Sequence, residues 1–191
     1  HSMGGLVALQ AGIRDRMMFE RIFMSSPMIG LNTPGFGPTG WANLFDLLSL
    51  VGLGQLPVGR RDDKPGSKMS FAGNPITSDV ARFSRMVDIL RARPDLEIGK
   101  PTVRWSAAAL RAMARAAMDD FPGAIRIPVL MLAAARDEVV STSATEQLGL
   151  RMRTGHHVVI PNARHELFME SDAIRAQVLA AFDAFIAEPT T

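Results

Sequence analysis

Apolar positions along this chain alternate between short continuous runs and stretches with helical spacing. The continuous runs end in turn residues, as is typical of buried strands in a parallel sheet, and they lie at residues 21–27, 127–134 and 157–160. Helical patterns stand beside them at residues 4–14, 143–152 and from 171 onward. Buried runs that alternate with helices predict an α/β fold with about three parallel strands flanked by helices.

The first predicted helix, residues 4–14, is apolar on nearly every side. Such a pattern indicates a helix buried all round. Polar residues mark the starts of three later helices: Ser78 as an N-cap, Ser143 with Glu146 as a capping box, and Ser171 before the last helix. Pro94 ends the helix that follows Ser78, because proline cannot continue a helical hydrogen-bond ladder.

The segment at residues 33–121 has a different character from the rest of the chain. Gly and Pro are frequent near its start, and helical patterns follow. We interpret it as a helical cap inserted between two strands. The chain then divides into the start of a core at 1–32, the cap at 33–121, and the rest of the core at 122–191.

Composition narrows the function classes. Lys and Arg number 21 against 19 Asp and Glu, and they are scattered, so the clustered basic face of a nucleic-acid-binding protein is not seen. The chain has no cysteine, which excludes disulfides, thiolate metal sites and cysteine nucleophiles. A reducing, cytoplasmic location fits that composition. No apolar run reaches the ~18 residues that span a bilayer, although peripheral membrane contact stays open.

Three polar residues are predicted to lie at the carboxyl ends of the parallel strands, where functional sites of such sheets are found. Ser2 lies immediately before the first helix, with a small residue, Gly4, two positions later. Asp137 follows the second predicted strand, and His165 follows the third. A serine hydroxyl needs a base and an orienting carboxylate to become a nucleophile, and the order Ser, Asp, His is the order found in α/β-hydrolases. We therefore predict a catalytic triad of Ser2, Asp137 and His165.

Each of these residues also has a plainer interpretation. Ser2 is compatible with a helix N-cap, Asp137 with a turn cap, and His165 with an exposed loop histidine. Glu138 is the alternative acid, but the first acidic residue after the strand suits the geometry better.

The backbone of Met3 is the predicted oxyanion donor, because its N–H lies at the positive end of a helix dipole. His156 and His157 do not predict a metal site: neighbours in a strand point to opposite faces, and no carboxylate cluster accompanies them. No cofactor is expected.

Several stretches resemble one family. His1-Ser2-Met3-Gly4-Gly5 resembles the nucleophile elbow of α/β-hydrolases. Four further stretches are similar to the bacterial lysophospholipase and monoacylglycerol lipase group, at residues 74–83, 94–105, 127–140 and 164–175.

The resemblance implies a serine hydrolase that cleaves carboxylic esters, lysophospholipid or monoacylglycerol, through an acyl-enzyme on Ser2. It implies further strands before the elbow, so we expect this chain to be the C-terminal part of an α/β-hydrolase fold, with the second oxyanion donor upstream. An aminopeptidase-like amidase and an inactive truncated form remain alternatives.

The cap carries apolar side chains suited to sheltering an acyl chain, namely Trp41, Leu44, Phe45 and Leu48. Packing within the cap itself is the alternative for each of them. The expected partner is a small-molecule lipid ester. Oligomeric state is not predicted.

Overall fold

The computed structural model of the protein describes residues 1–31, 37–59 and 65–187. In this part of the chain the strands and helices occur in the order α1 (Met3–Arg14), β1 (Ile22–Ser25), α2 (Gly37–Leu48), α3 (Val80–Ala92), α4 (Val103–Ala117), α5 (Phe121–Ala124), β2 (Val129–Ala134), α6 (Thr142–Arg151), β3 (Gly155–Ile160) and α7 (Asp172–Ala187). A π-helical turn, Ser49–Leu53, continues α2, and short 3₁₀ turns lie at Gly66–Lys68, Pro94–Leu96 and Leu167–Met169.

The strands form one parallel sheet in the order β1-β2-β3. Ile22 of β1 pairs with Val129 of β2, which pairs in turn with Gly155 of β3. Every residue of the central strand is buried, which explains its continuous apolar sequence. The prediction of three parallel strands flanked by helices is confirmed.

Helices cover both faces of this sheet. On one face α7 packs its Val178 and Phe185 against Leu130 and Leu132 of the central strand. On the other face α1 packs so closely that a side chain at Gly12 would meet Ile127, just before β2, at 2.7 Å and Ile22 of β1 at 3.4 Å. The sheet is thus the middle layer, and the carboxyl ends of its strands share one edge.

The expectation that α1 is buried on every side is wrong. Leu6 and Leu9 are buried against the sheet, whereas Val7 is 55% exposed and Met3 is 41% exposed. A helix that packs on a single sheet buries only one stripe of side chains, so its outward-facing residues stay exposed even where they are apolar.

Two predicted helix starts are also wrong, although each helix exists. The carboxylate of Asp79, not Ser78, caps α3 by accepting the Arg82 N–H at 2.9 Å. The hydroxyl of Ser141, not Ser143, caps α6 by accepting the Ala144 N–H at 3.3 Å. In both places a polar residue one or two positions from the predicted cap accepts the helix N–H instead.

The chain divides into two compact units. The core unit comprises the described residues within His1–Asn32, Pro75–Ser78 and Arg115–Thr191, and the helical unit comprises those within Thr33–Asn74 and Asp79–Ala114. The predicted cap began at residue 33, which lies outside the described residues. Residues 75–78 and 115–121, counted with the predicted cap, belong to the core unit. The role of the helical unit as a cap stays a prediction.

Within the helical unit, α3 is held by aromatic and polar contacts. The rings of Phe71 and Phe83 meet edge to face, with centroids 5.5 Å apart. Glu97 accepts the N–H of Ser67 at 2.7 Å. No helix among the described residues is both long enough and apolar enough to cross a membrane.

Candidate active site

Ser2 lies in a tight turn that immediately precedes α1 and sits beside the carboxyl end of β1. Its N–H donates to the Ser25 carbonyl at 3.0 Å, and its own carbonyl accepts the N–H groups of Gly5 and Met28 at 3.0 Å each. Its backbone has φ 49° and ψ −122°, a conformation that non-glycine residues rarely adopt. Such strain, held by three backbone hydrogen bonds, is the form a nucleophile elbow takes.

The need for a small residue in this turn falls on Gly5. A Cβ there would lie 2.9 Å from Pro27 Cβ and 3.1 Å from Met24 Sδ, closer than real contacts allow. A Cβ at Gly4 would meet nothing within 4 Å. The spacing to Ser2 pointed to Gly4, whereas the close packing of α1 against Met24 and Pro27 requires the small residue at Gly5.

Asp137 lies in the turn that follows β2. One oxygen of its carboxylate, Oδ1, accepts the N–H groups of Val139 and Val140 at 2.8 and 2.9 Å. Burial by itself raises the pKa of Asp137, but hydrogen bonds from His165 and these two amides outweigh it and lower the pKa below the ordinary value. The carboxylate is therefore charged and fixed in direction.

His165 bridges the other two residues. Its Nδ1 lies 2.9 Å from Asp137 Oδ2, and its Nε2 lies 3.2 Å from Ser2 Oγ. A carboxylate only accepts, so Nδ1–H is the donor to Asp137, and the Nε2 lone pair is left to accept the Ser2 hydroxyl. The side chains of His165 and Asp137 are only 6% and 1% exposed. The structure thus brings together all three residues predicted from the sequence, and Glu138 stays exposed.

The loop that carries His165 is held from two sides. The Ala163 carbonyl accepts the Arg136 N–H at 2.9 Å, and the Glu166 N–H donates to the Ile76 carbonyl at 2.7 Å. Fully buried Glu170 accepts the Arg164 N–H at 2.7 Å. No role for Glu170 was predicted from the sequence. Acidic residues are mostly exposed, so no local pattern marks this one as buried.

Met3 occupies the first position of α1, where N–H groups have no acceptor within the helix. Trp41, Leu44, Phe45 and Leu48 all lie on α2 of the helical unit. The rings of Trp41 and Phe45 are 6.1 Å apart. The roles predicted for Met3 and for these four residues stay predictions.

His156 is exposed and His157 is half-buried on β3. In the described ranges, no group of three or more His, Cys, Asp and Glu residues is placed to hold a metal ion.

A parallel sheet covered by helices on both faces, with a strained serine turn before a helix and further polar residues at the neighbouring strand ends, defines an α/β-hydrolase. The chain belongs to the family described as serine aminopeptidase S33, whose sequence model matches residues 1–172.

Individual relatives agree with this class. The chain is 27% identical over 186 residues to a probable lysophospholipase L2 of Haemophilus influenzae, covering 97% of this chain and 58% of that protein. It therefore spans little more than half the length of that relative.

Solved structures share the fold. A soluble variant of monoglyceride lipase from Saccharomyces cerevisiae superposes with a TM-score of 0.71 at 18% identity, over 97% of this chain and 62% of that one. A monoacylglycerol lipase from Paleococcus ferrophilus superposes with a TM-score of 0.71 at 17% identity, over 98% and 66%.

Proposed function

We propose that this protein is a serine carboxylester hydrolase in which Ser2 is the nucleophile, His165 the base and Asp137 the orienting acid. The observation that carries the proposal is the position of the His165 ring, hydrogen-bonded to Asp137 through Nδ1 and to Ser2 through Nε2. That arrangement is the one serine acyl-transfer chemistry needs.

In the first half of the reaction, Ser2 Oγ attacks the ester carbonyl carbon while His165 Nε2 takes its proton. The imidazolium that results is stabilised by the Asp137 carboxylate. His165 then returns the proton to the leaving alcohol as the carbon–oxygen bond of the ester breaks. An acyl group is left on Ser2.

In the second half, water takes the place of the alcohol. His165 removes a proton from the water as it attacks the acyl carbon, and the proton passes to Ser2 Oγ as the acyl bond breaks. The carboxylic acid leaves and the free hydroxyl returns. We assign one oxyanion contact to the Met3 N–H, at the positive end of α1.

For the substrate class we propose lipid monoesters, lysophospholipid or monoacylglycerol. The relatives named lysophospholipase and monoglyceride lipase support this proposal. We assign contact with the acyl chain to Trp41, Leu44, Phe45 and Leu48, in a helical unit that acts as the cap. The proposed partner is a small-molecule ester, with the protein in the cytoplasm or at a membrane surface.

An amide-cleaving activity is the second candidate, since the matching family is described as a serine aminopeptidase. Both activities use the same three residues. The substrate that is hydrolysed distinguishes the two activities. We expect turnover of a monoacyl glycerol or a medium-chain nitrophenyl ester, and none of a prolyl anilide. The reverse preference would replace the first proposal with the second.

The test of the shared mechanism is labelling by a fluorophosphonate probe together with ester turnover. We expect the probe to label wild-type protein on Ser2, and Ser2→Ala to abolish labelling. Ester turnover in Ser2→Ala and His165→Ala should fall by at least about 10³-fold. Exposed His156→Gln is the matched control and should keep its turnover. Near wild-type rates in either triad variant refute the mechanism.

A further inference from the structure

Two titratable side chains, those of His1 and Glu166, lie next to the hydrogen bond between Ser2 and His165. His1 precedes Ser2 in the chain, and Glu166 follows His165. His1 Nε2 lies 3.1 Å from Glu166 Oε1. The turn that carries the nucleophile and the loop that carries the base are therefore joined twice, by Ser2 to His165 and by His1 to Glu166.

The partners of His1 determine its charge. Its Nδ1 lies 3.0 Å from the Ser25 carbonyl oxygen, and its Nε2 faces the Glu166 carboxylate. Nδ1 also lies 3.3 Å from the Ser25 hydroxyl, which can donate or accept. The carbonyl and the carboxylate only accept hydrogen bonds, so these two partners favour the imidazolium, which donates from both ring nitrogens. Burial by itself lowers the pKa of His1, but the hydrogen bond and charge of Glu166, with the Ser25 carbonyl, outweigh it and raise the pKa. The hydrogen bond from His1 in turn lowers the pKa of Glu166.

This ion pair lies beside the proposed base. The ring centroids of His1 and His165 are 4.8 Å apart. The charged and titratable groups that face His1 are Glu166 on the histidine loop, Asp137 on the turn after β2, and His165 itself. Both members of the pair are 33% exposed, so water and salt screen the pair only in part.

We propose that His1 and Glu166 are positioning residues, an ion pair whose cation neutralises the Glu166 carboxylate beside His165 and so keeps the base free of its proton at neutral pH. The proposal rests on the proposed function of Ser2 and His165. With the pair intact, the net charge that it adds next to His165 is zero. Without His1, the bare Glu166 carboxylate favours the protonated form of the base, which cannot accept from Ser2.

The test is the pH profile of kcat/KM for ester hydrolysis in His1→Gln, Glu166→Gln and the double variant. In His1→Gln the acidic limb should move to higher pH by about 0.5 to 1 unit, because one negative charge is left uncompensated. Its rate should then fall several-fold at pH 6 and approach the wild-type rate at pH 9. In Glu166→Gln and in the double variant the limb should not move to higher pH, because the negative charge beside the base is removed.

The double variant is what makes the test specific. If His1 only packs against the loop, His1→Gln lowers the rate equally at every pH and the second substitution brings no recovery. That result overturns the proposal, and so does an acidic limb that stays unmoved in His1→Gln. His156→Gln serves as the matched control, since it removes an exposed imidazole of β3, and its profile should match wild type.

A measurement without turnover separates this inference from the proposed function. In Ser2→Ala protein, NMR titration of the His1 resonances should show this ring protonated to a higher pH when Glu166 is present than in the Ser2→Ala, Glu166→Gln protein. A His1 titration that is the same with and without the Glu166 carboxylate refutes the ion pair, whatever the activity. Absence of ester turnover in the wild type, with the His1 titration as expected, would instead refute the proposed function alone.

Discussion

The hydroxyl of Ser78 donates to the carboxylate of Glu170, 92 residues further along the chain. The same carboxylate accepts the backbone N–H of Ser78 at 3.1 Å and that of Arg164, next to His165, at 2.7 Å. Glu170 has no exposed surface. A buried acid is tolerated only where donors satisfy it, and these donors tie residues 75–78 to the loop of the proposed base.

We predict that Glu170→Gln lowers the free energy of unfolding by about 2 to 4 kcal/mol, because an amide cannot accept from all of these donors. Ser78→Ala removes one donor group and should cost only about 1 kcal/mol. Urea denaturation of both variants checks the order. Equal stability of Glu170→Gln and wild type would contradict the view that this carboxylate holds the loop.

Asp137 and Glu138 are neighbours with different expected roles. Asp137→Asn should lower kcat by about 10³ to 10⁴-fold, because an amide no longer holds His165 in the tautomer that accepts from Ser2. Exposed Glu138→Gln should change kcat by less than about twofold. Steady-state kinetics with one ester measures both variants. A large loss of kcat in Glu138→Gln would contradict the assignment of Asp137 as the acid.

Gly4 and Gly5 form a matched pair for the packing of α1. Gly5→Ala forces a methyl group against Pro27 and Met24 and should cost about 1 to 3 kcal/mol of stability. Gly4→Ala enters open space within a helix and should be neutral or stabilising by up to about 1 kcal/mol. Thermal unfolding of the two variants measures the contrast, and equal melting temperatures would show that the close approach at Gly5 is absent.

Stability should fall in acid through Asp137 and Glu166. Their folded pKa values are lowered, so the unfolded chain binds more protons in the window just below the ordinary carboxylate value of about 4. Their contribution is complete above about pH 5 and is lost as pH falls through the lowered values. The stability gap between wild type and Asp137→Asn should therefore shrink from pH 6 to pH 3 in urea titrations.

His1 does not disturb that measurement. Its folded pKa is raised, so its contribution is present below the unfolded value of about 6.5 and is lost only as pH rises through the folded value. From pH 3 to 5 it is protonated in both states. A gap that stayed constant from pH 6 to pH 3 would contradict the lowered pKa of Asp137.

The proposed acyl-chain contacts predict an effect that depends on chain length. If Leu44 binds the acyl chain, Leu44→Ser should lower kcat/KM about tenfold for a decanoyl ester and less than about twofold for an acetyl ester, because an acetyl group has no chain for it to bind. Leu179→Ser on α7 is the control, because Leu179 is 38% exposed and Leu44 is 39% exposed. Equal losses for both esters would remove Leu44 from the acyl site.

Local pattern was enough to predict much of this molecule. The continuous apolar run at 127–134 predicted the central strand, because a strand covered on both faces has no polar position. The polar residues after two runs and before one helix predicted which side chains meet, because parallel strands end at a common edge. The proximity of Ser2, Asp137 and His165 could therefore be predicted from the sequence, because each residue directly precedes or follows a predicted element.

Contacts between distant residues had no such local signature. Ser78 resembles an N-cap as much as Asp79 does, and only the buried carboxylate of Glu170 draws the Ser78 hydroxyl away. The exposure of Val7 depends on the side from which α1 meets the sheet.

The pairing of His1 with Glu166 is the clearest case. Nothing in the 164 positions between them marks either residue, and neither a single histidine nor a single glutamate predicts a partner. Spacing along the chain encodes hydrophobic periodicity and turns, because those are short-range. Charge pairing across the site depends on distances that only the packed sheet, helices and loops establish.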